Sequence, residues 1–191
     1  MDYKALDPRD LKLNKNELAA RLAVPTVESF DFSELYERLI SVARPAYVAE
    51  RVDLIRENGE ICLGKVKTSS AALKKISMNA SGYIVFAATL GIGVDRLILK
   101  TSKISPHEAF VIDAMADALI ESLCDFVENE LCCGISASGR FSPGYADLEL
   151  SVGYEILSLC KAEKTLGIKV SKSGLMIPRK SVNAIIAVKK V

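Results

Sequence analysis

Residues 105–134, SPHEAFVIDAMADALIESLCDFVENELCCG, are the stretch that decides the fold. Ser105, Pro106 and Glu108 fit a capping box with proline at the first helical position. Apolar residues then recur at helical spacing, and Gly134 supplies a stop signal. The stretch therefore predicts one long helix at the centre of the domain.

Shorter elements are predicted before the long helix. Helices are expected over residues 14–22 (capped by Asn14 or Asn16), 32–43 (with Asp31 available to cap) and 69–76, and strands over 46–55, 61–67 and 83–89. The first two strands flank Asn58-Gly59, which is a hairpin signal. The third, YIVFAAT, is continuously apolar, so we expect it to be buried on both faces.

The segment after the long helix predicts a helix over 152–166, ended by Gly167, and strands over 168–171 and 182–188 around a turn at Pro178. Because helices and strands do not alternate regularly, the pattern favours an α+β fold over a doubly wound sheet. We predict one compact domain over residues 1–191, with a long central helix, an antiparallel or mixed sheet and N-terminal helices. Residues 1–30 are expected to form an N-terminal helical extension.

Composition excludes several classes of function. The chain has 25 basic and 24 acidic residues, a formal charge of +1, and no long run of Lys and Arg, so neither nucleic acid nor an anionic membrane is an expected partner. The most apolar stretch, Tyr83 to Val94, is too short to span a bilayer. Five cysteines without a C-x-x-C pair favour a reducing, cytoplasmic location.

Two motifs with possible chemistry fail on their spacing. Gly91-Ile92-Gly93 follows a predicted strand, but a dinucleotide fingerprint needs a third glycine where this chain has Arg96. Cys132-Cys133 would need further ligands to hold zinc, and the one histidine, His107, lies near the opposite end of the long helix. We therefore predict no catalytic residue and no metal ligand within this chain.

The loop from Arg140 to Asp147, RFSPGYAD, carries the most unusual chemistry. Pro143-Gly144 predicts a type II turn, which leaves Arg140 and Tyr145 unexplained. A guanidinium gives a planar fork suited to a carboxylate, and a tyrosine gives an aromatic face or a hydroxyl. The loop is thus either a plain surface turn or part of a binding site for the amino-acid moiety of a ligand.

An acidic stripe occupies one line of the long helix, at Asp113, Asp117, Glu121 and Asp125. Like charges at this i to i+4 spacing oppose helix formation by about 0.2–0.5 kcal/mol per pair. The stripe is either a solvated face or a set of carboxylates suited to a sulfonium and an ammonium. These two interpretations stay open on the residues alone.

Four blocks, in order along the chain, resemble the methionine synthase activation domain family. The most specific is Arg140-x-x-Pro143-Gly144-Tyr145, which is similar to the family's R-x-x-P-G-Y signature. The other blocks are Thr89-Leu90-Gly91 followed by Val94-Asp95, the helical segment 116–121 (ADALIE), and Ser173-x-x-Met176-x-Pro178 followed by Lys180-Ser181-Val182-x-Ala184-Ile185-Ile186. The resemblance extends from about residue 10 to the end of the sequence.

The resemblance implies a function. Domains of that family bind S-adenosylmethionine and dock onto a cobalamin domain. A reductant such as flavodoxin returns inert cob(II)alamin to cob(I)alamin, and the sulfonium methyl group traps it as methylcobalamin. Carried over to this chain, Arg140 pairs with the ligand carboxylate, residues 143–145 shape its seat, Glu121 supplies a polar contact, and Asp117 is a further candidate contact.

The chain departs from the full-length enzyme. It has no D-x-H-x-x-G cobalamin motif, because Ser105 stands two residues before His107, and it has no room for the substrate barrels. Phe30-Asp31-Phe32 lies in the region where longer relatives carry an acidic-aromatic segment of the ligand site, without a clear match to that segment. We expect a methyltransferase component rather than a complete enzyme: an S-adenosylmethionine-binding reactivation subunit for a separate methionine synthase or corrinoid protein.

Three alternatives to this function stay open. The chain could be a non-catalytic docking or gating module for a corrinoid protein. It could be an activator of another corrinoid methyltransferase system. It could also be an unrelated α+β domain whose acidic stripe and Pro-Gly turn are surface features.

Overall fold

The computed structural model describes residues 1–28, 30–171 and 174–189. The helices are α1 (Lys15–Leu22), α2 (Ser33–Val42), α3 (Ala71–Ile76), α4 (Ile92–Ser102), α5 (Pro106–Leu131), α6 (Val152–Leu159) and α7 (Ala162–Leu166). The strands are β1 (Asp2–Ala5), β2 (Ala46–Asp53), β3 (Ile55–Glu57), β4 (Glu60–Leu63), β5 (Val66–Thr68), β6 (Gly82–Thr89), β7 (Lys169–Val170), β8 (Met176–Ile177) and β9 (Ser181–Val188). The predicted α+β class is confirmed.

The main sheet is antiparallel, with strand order β1-β2-β6-β9. Helices cover both of its faces. On one face Ile84 and Phe86 of β6 pack in a core with α5, and on the other Tyr83 and Val85 pack in a core with α6. The prediction that this strand is buried on both faces is confirmed, since the whole of Tyr83–Thr89 is buried.

The long helix α5 runs through the first core and contacts α1, α2 and α4. Its predicted start is confirmed, because Ser105 Oγ accepts a hydrogen bond of 3.3 Å from the Glu108 amide. The cap of α1 is Asn14, whose side chain accepts bonds of 3.1 Å from the amides of Asn16 and Glu17. These local polar signals therefore fixed the helix starts as expected.

The N-terminal segment 1–30, predicted as a helical extension, contains both a strand and a helix. β1 pairs with β2 at the edge of the main sheet, and α1 packs against α5. The segment is thus integrated into the first core, where Leu11 and Leu18 are buried.

Three predicted elements are wrong in extent. The predicted strand 61–67 is divided by a turn at Gly64-Lys65 into β4 and β5. The predicted strand 46–55 ends at Asp53 and pairs in the main sheet, while the Asn58-Gly59 turn joins β3 to β4 in a separate three-stranded sheet. The predicted helix 152–166 is broken between α6 and α7, where Lys161 adopts a left-handed conformation with φ of 52°. A residue in that conformation cannot continue a right-handed helix.

Helix α4 was not predicted at all, and its first turn explains Gly91, which precedes it, and Gly93, which lies within it. Gly91 has φ of +83°, and a Cβ built on Gly93 would lie 2.5 Å from the carbonyl oxygen of Val42. Gly93 thus permits close packing of α4 against the end of α2. Within the described ranges, no helix combines the length and the apolar character that crossing a membrane requires.

Candidate functional site

A cleft of about 550 Å³ opens between the loop that follows α5, the helix α5 itself and the start of β9. Its walls include Glu121 and Glu128 of α5, residues 139–143 and Tyr145 of the loop, and residues 181–183 of β9. We call it the Arg140 cleft. A volume of this size is within the range of small-molecule sites, which are roughly 300–1,000 Å³.

The loop is held against the sheet by its own backbone. Phe141 pairs with Ile185 of β9 through two hydrogen bonds of 2.8 and 2.9 Å. The predicted Pro143-Gly144 turn is present: the Tyr145 amide donates to the Ser142 carbonyl at 3.2 Å, and Gly144 has φ of +90°. Tyr145, which is 68% exposed, therefore stands at the cleft mouth on a fixed turn.

Asp147 anchors the far end of the same loop to α3. Its carboxylate accepts a hydrogen bond of 2.6 Å from Ser70 Oγ and bonds of 2.5 and 3.2 Å from the amides of Ala71 and Ala72. The hydrogen bond from the Ser70 hydroxyl lowers the pKa of Asp147 most, and the hydrogen bond from the Ala71 amide lowers it further. The loop is thus fastened at both ends, by β9 before the turn and by α3 after it.

Arg140 lies among three carboxylates of α5, and we call Arg140, Glu121, Asp125 and Glu128 the Arg140 cluster. Its Nη1 donates to Asp125 Oδ1 at 2.6 Å and to Glu128 Oε2 at 3.0 Å, and its Nη2 donates to Glu121 Oε2 at 2.8 Å. Burial acts most strongly to lower the pKa of Arg140, but the hydrogen bonds with Asp125 and Glu121 together raise it above its ordinary value. The guanidinium is therefore firmly charged.

Asp117 faces away from this cluster. It pairs with Lys180 Nζ at 2.5 Å and with Arg21 Nη1 at 3.0 Å, and it does not line the Arg140 cleft. Asp113, the acid of the stripe that precedes Asp117, also pairs with Lys180, at 2.9 Å. The structure thus brings Arg140, Pro143, Tyr145 and Glu121 together, with Gly144 in their turn, and places Asp117 in a separate ion-pair network.

The acidic stripe is consequently not a plain solvated face. Counted with Glu128, five carboxylates of α5 meet three cations that come from other parts of the chain. The cations are Arg21 of α1, Arg140 of the loop and Lys180 next to β9. The carboxylates of the stripe therefore tie three segments to one helix and still leave an excess of negative charge.

Two of the blocks that carry the resemblance hold the start of β9 in place. Thr89 Oγ1 accepts from Ser181 Oγ at 2.8 Å, and Asp95 Oδ2 accepts from the Arg179 amide at 2.8 Å. Ser181 also lines the cleft. Ser173, which begins the C-terminal block, lies outside the described residues.

Several lining residues were missed by sequence reasoning, among them Glu128 and Asn183. Glu128 could have been found, because it lies seven residues after Glu121 on the same helical face. Asn183 gave no such signal, because a single polar residue in a strand has no characteristic pattern. Its Oδ1 is buried without a hydrogen-bond partner among the described residues, and its Nδ2 lies 3.4 Å from the Met176 sulfur.

The Phe30-Asp31-Phe32 segment lies apart from the cleft. The rings of Phe30 and Phe32 stack on each other with their centroids 5.6 Å apart. Asp31 accepts hydrogen bonds from the amide and hydroxyl of Ser33, at 3.0 and 2.6 Å. Neither ring nor the carboxylate lines the cleft, so the segment starts α2 rather than completing this site.

No protein-family model matches the chain, and no curated protein matches it. Among solved structures, the chain is similar to the MetH reactivation domain bound to AdoHcy, with a TM-score of 0.68 and 16% sequence identity. The match covers 98% of this chain and 78% of that chain. At this level of identity the similarity concerns the fold, and this protein shares the fold of the MetH reactivation domain.

Proposed function

We propose that this chain binds S-adenosylmethionine in the Arg140 cleft. The observation that carries the proposal is the position of the R-x-x-P-G-Y loop, which forms one wall of the cleft opposite the carboxylates Glu121 and Glu128. A solved domain with the same fold was crystallised with AdoHcy, the demethylated form of this ligand. Loop, cleft and fold therefore support the same ligand.

The chemistry of the cleft suits each end of that ligand. The carboxylates of Glu121 and Glu128 attract a sulfonium and an ammonium, and this attraction is stronger in a partly buried site than in bulk water. Arg140 offers its guanidinium to the amino-acid carboxylate. Tyr145 and Pro143 supply apolar surface at the mouth.

We further propose that the protein is a reactivation subunit for a separate methionine synthase or other corrinoid protein. When bound, S-adenosylmethionine supplies a methyl group for the reduced cobalamin of that partner, with a flavodoxin-like or other reductant as the electron donor. The residues of this chain would hold and orient the ligand, because the sulfonium and the corrin carry the chemistry. The partner would have to dock over the cleft mouth.

Isothermal titration with S-adenosylmethionine and AdoHcy tests the binding step. We expect Arg140→Ala to abolish the heat of binding, whereas Arg21→Ala, which removes another partner of the acidic stripe outside the cleft, should retain it. Far-UV circular dichroism of each variant checks the fold. If the wild type binds neither ligand, even beside a cobalamin-binding subunit, the proposal fails.

A label-transfer assay tests the reactivation step. The protein is mixed with a purified cobalamin-binding subunit, a reductant and S-adenosylmethionine labelled in the methyl group, and label on cobalt is measured. Subunits from methionine synthase and from other corrinoid methyltransferases are compared. The subunit that accepts label identifies the system that this protein serves.

A second candidate function is a docking module that gates a corrinoid protein without binding the ligand. The engaged state of Arg140, which already donates to three carboxylates, favours this alternative. Co-purification with a cobalamin-binding subunit that does not respond to added S-adenosylmethionine would support it. Ligand-dependent co-purification would support the reactivation subunit instead.

A further inference from the structure

One carboxylate of the Arg140 cluster differs from the other two. The side chain of Asp125 is 53% exposed, compared with 37% for Glu121 and 25% for Glu128. Glu121 and Glu128 line the Arg140 cleft, whereas Asp125 does not. Asp125 nevertheless makes the shortest contact of the three with the guanidinium, at 2.6 Å.

Asp125 holds Nη1 of Arg140 from outside the cleft, so a carboxylate that enters the cleft has to draw this donor away from Asp125. Three of the five N–H donors of the guanidinium are used by the cluster. Three carboxylates around one guanidinium leave an excess of negative charge, which repels a further carboxylate. Of the three, Asp125 loses least when it is displaced, because its exposed oxygens can be rehydrated.

We propose that Asp125 is a built-in competitor for the ligand carboxylate and thereby limits the affinity of the Arg140 cleft for amino-acid-bearing ligands. The proposal rests on the proposed function. Glu121 and Glu128 keep their places on the cleft wall when the ligand binds, and the Nη1 donor of Arg140 leaves Asp125 and turns to the ligand carboxylate in the cleft. Asp125 thus acts on affinity through Arg140 and is a positioning residue.

The test compares two ligands that differ in the amino-acid moiety. AdoHcy carries the carboxylate, and 5′-deoxy-5′-methylthioadenosine lacks it. Asp125→Asn keeps the shape of the side chain and removes the charge. We expect this variant to bind AdoHcy roughly two- to fivefold more tightly than the wild type, as measured by calorimetry. Binding of methylthioadenosine should not change.

Glu130→Gln is the matched control. Glu130 lies on the same helix and pairs with Lys4 at 2.8 Å, away from Arg140. This variant should leave both affinities unchanged. If the wild type binds AdoHcy and Asp125→Asn weakens this binding, leaves its affinity unchanged, or changes the binding of both ligands equally, the competitor role of Asp125 is overturned.

A ligand-free measurement separates this proposal from the proposed function. Phenylglyoxal modifies arginine side chains, and mass spectrometry follows the rate at Arg140. If Asp125 occupies the guanidinium, Asp125→Asn should raise that rate by about twofold or more, and Glu130→Gln should not. An unchanged rate would overturn the competitor role. If neither the wild type nor Asp125→Asn binds AdoHcy, but Asp125→Asn raises the rate at which phenylglyoxal modifies Arg140, the proposed function is rejected instead.

Discussion

Nζ of Lys180 lies 2.5 Å from Oδ1 of Asp117, in a contact where the lysine side chain is only 7% exposed. The same ammonium pairs with Asp113, one turn earlier on α5. Because Ser181 is the next residue and lines the Arg140 cleft, this contact fixes one wall of the cleft against the long helix. Asp117 therefore serves the site through Lys180.

Replacing Lys180 with methionine should destabilise the fold strongly. The substitution leaves the carboxylates of Asp113 and Asp117 without their buried cation, and breaking such a pair costs about 3–5 kcal/mol. Urea denaturation measures the free energy of unfolding. Lys4→Met, at an exposed pair with Glu130, should cost less than about 1 kcal/mol. A similar small loss for Lys180→Met would contradict the structural role assigned to this contact.

The anchor at Asp147 predicts a dependence of stability on pH. Its hydrogen bonds lower its pKa in the folded state, so the ionised carboxylate stabilises the fold. That contribution is complete above the ordinary carboxyl value of about 4 and is lost as the pH falls through the lowered pKa. Asp147→Asn should therefore lower the thermal midpoint at about pH 7, and the two proteins should converge near pH 2.

Ser70→Ala supplies the control for this anchor. Ser70 donates to Asp147 and also caps α3. Both variants remove the same contact. The decrease in thermal midpoint of the double variant should therefore be smaller than the sum of the decreases in the two single variants. A constant difference between wild type and Asp147→Asn at all pH values would show that the carboxylate charge is not involved.

Gly93→Ala tests the packing that explains the Gly-x-Gly segment. An added Cβ would meet the Val42 carbonyl at 2.5 Å, so α4 has to move away from α2. We expect a loss of about 1–3 kcal/mol in the free energy of unfolding. Gly139→Ala, where the nearest atom lies at 3.7 Å, should change stability by less than about 1 kcal/mol. Equal effects would argue against a packing role for Gly93.

Tyr145→Ala separates binding from folding. With 68% of the residue exposed, we expect the free energy of unfolding to change by less than about 0.5 kcal/mol. Loss of the aromatic contact should weaken the binding of AdoHcy by about fivefold or more, as measured by calorimetry. Tyr3→Ala, at a residue 54% exposed on β1, should leave binding unchanged. Unchanged binding in Tyr145→Ala would remove this residue from the ligand seat.

Local signals predicted the elements that have strong signals of their own. The capping box at Ser105 and the apolar run of β6 both appear as expected, because each depends on neighbouring residues only. Helix α4 was missed because Gly91 and Gly93 resemble a strand exit, and only the approach of Val42 explains Gly93. The break at Lys161 was missed because a lysine carries no signal for a left-handed conformation.

The candidate site was predictable in part for the same reason. The R-x-x-P-G-Y loop stood out from its residue types, and its turn formed as expected. The position of Asp117 outside the cleft could not be inferred, because Asp117 and Glu121 occupy equivalent positions along one helical stripe. Asn183 was missed because only the approach of α6 and β8 buries its amide oxygen.

The sequence by itself determined the long helix, the buried strand, the Pro-Gly turn and the acidic stripe, since each follows from residues that lie close together along the chain. Only the tertiary structure decided which carboxylate meets which cation. Arg140 lies 15 residues from Asp125, and Lys180 lies 63 residues from Asp117. Electrostatic pairing depends on distance in space, and that distance is set when α5, the loop and β9 pack together.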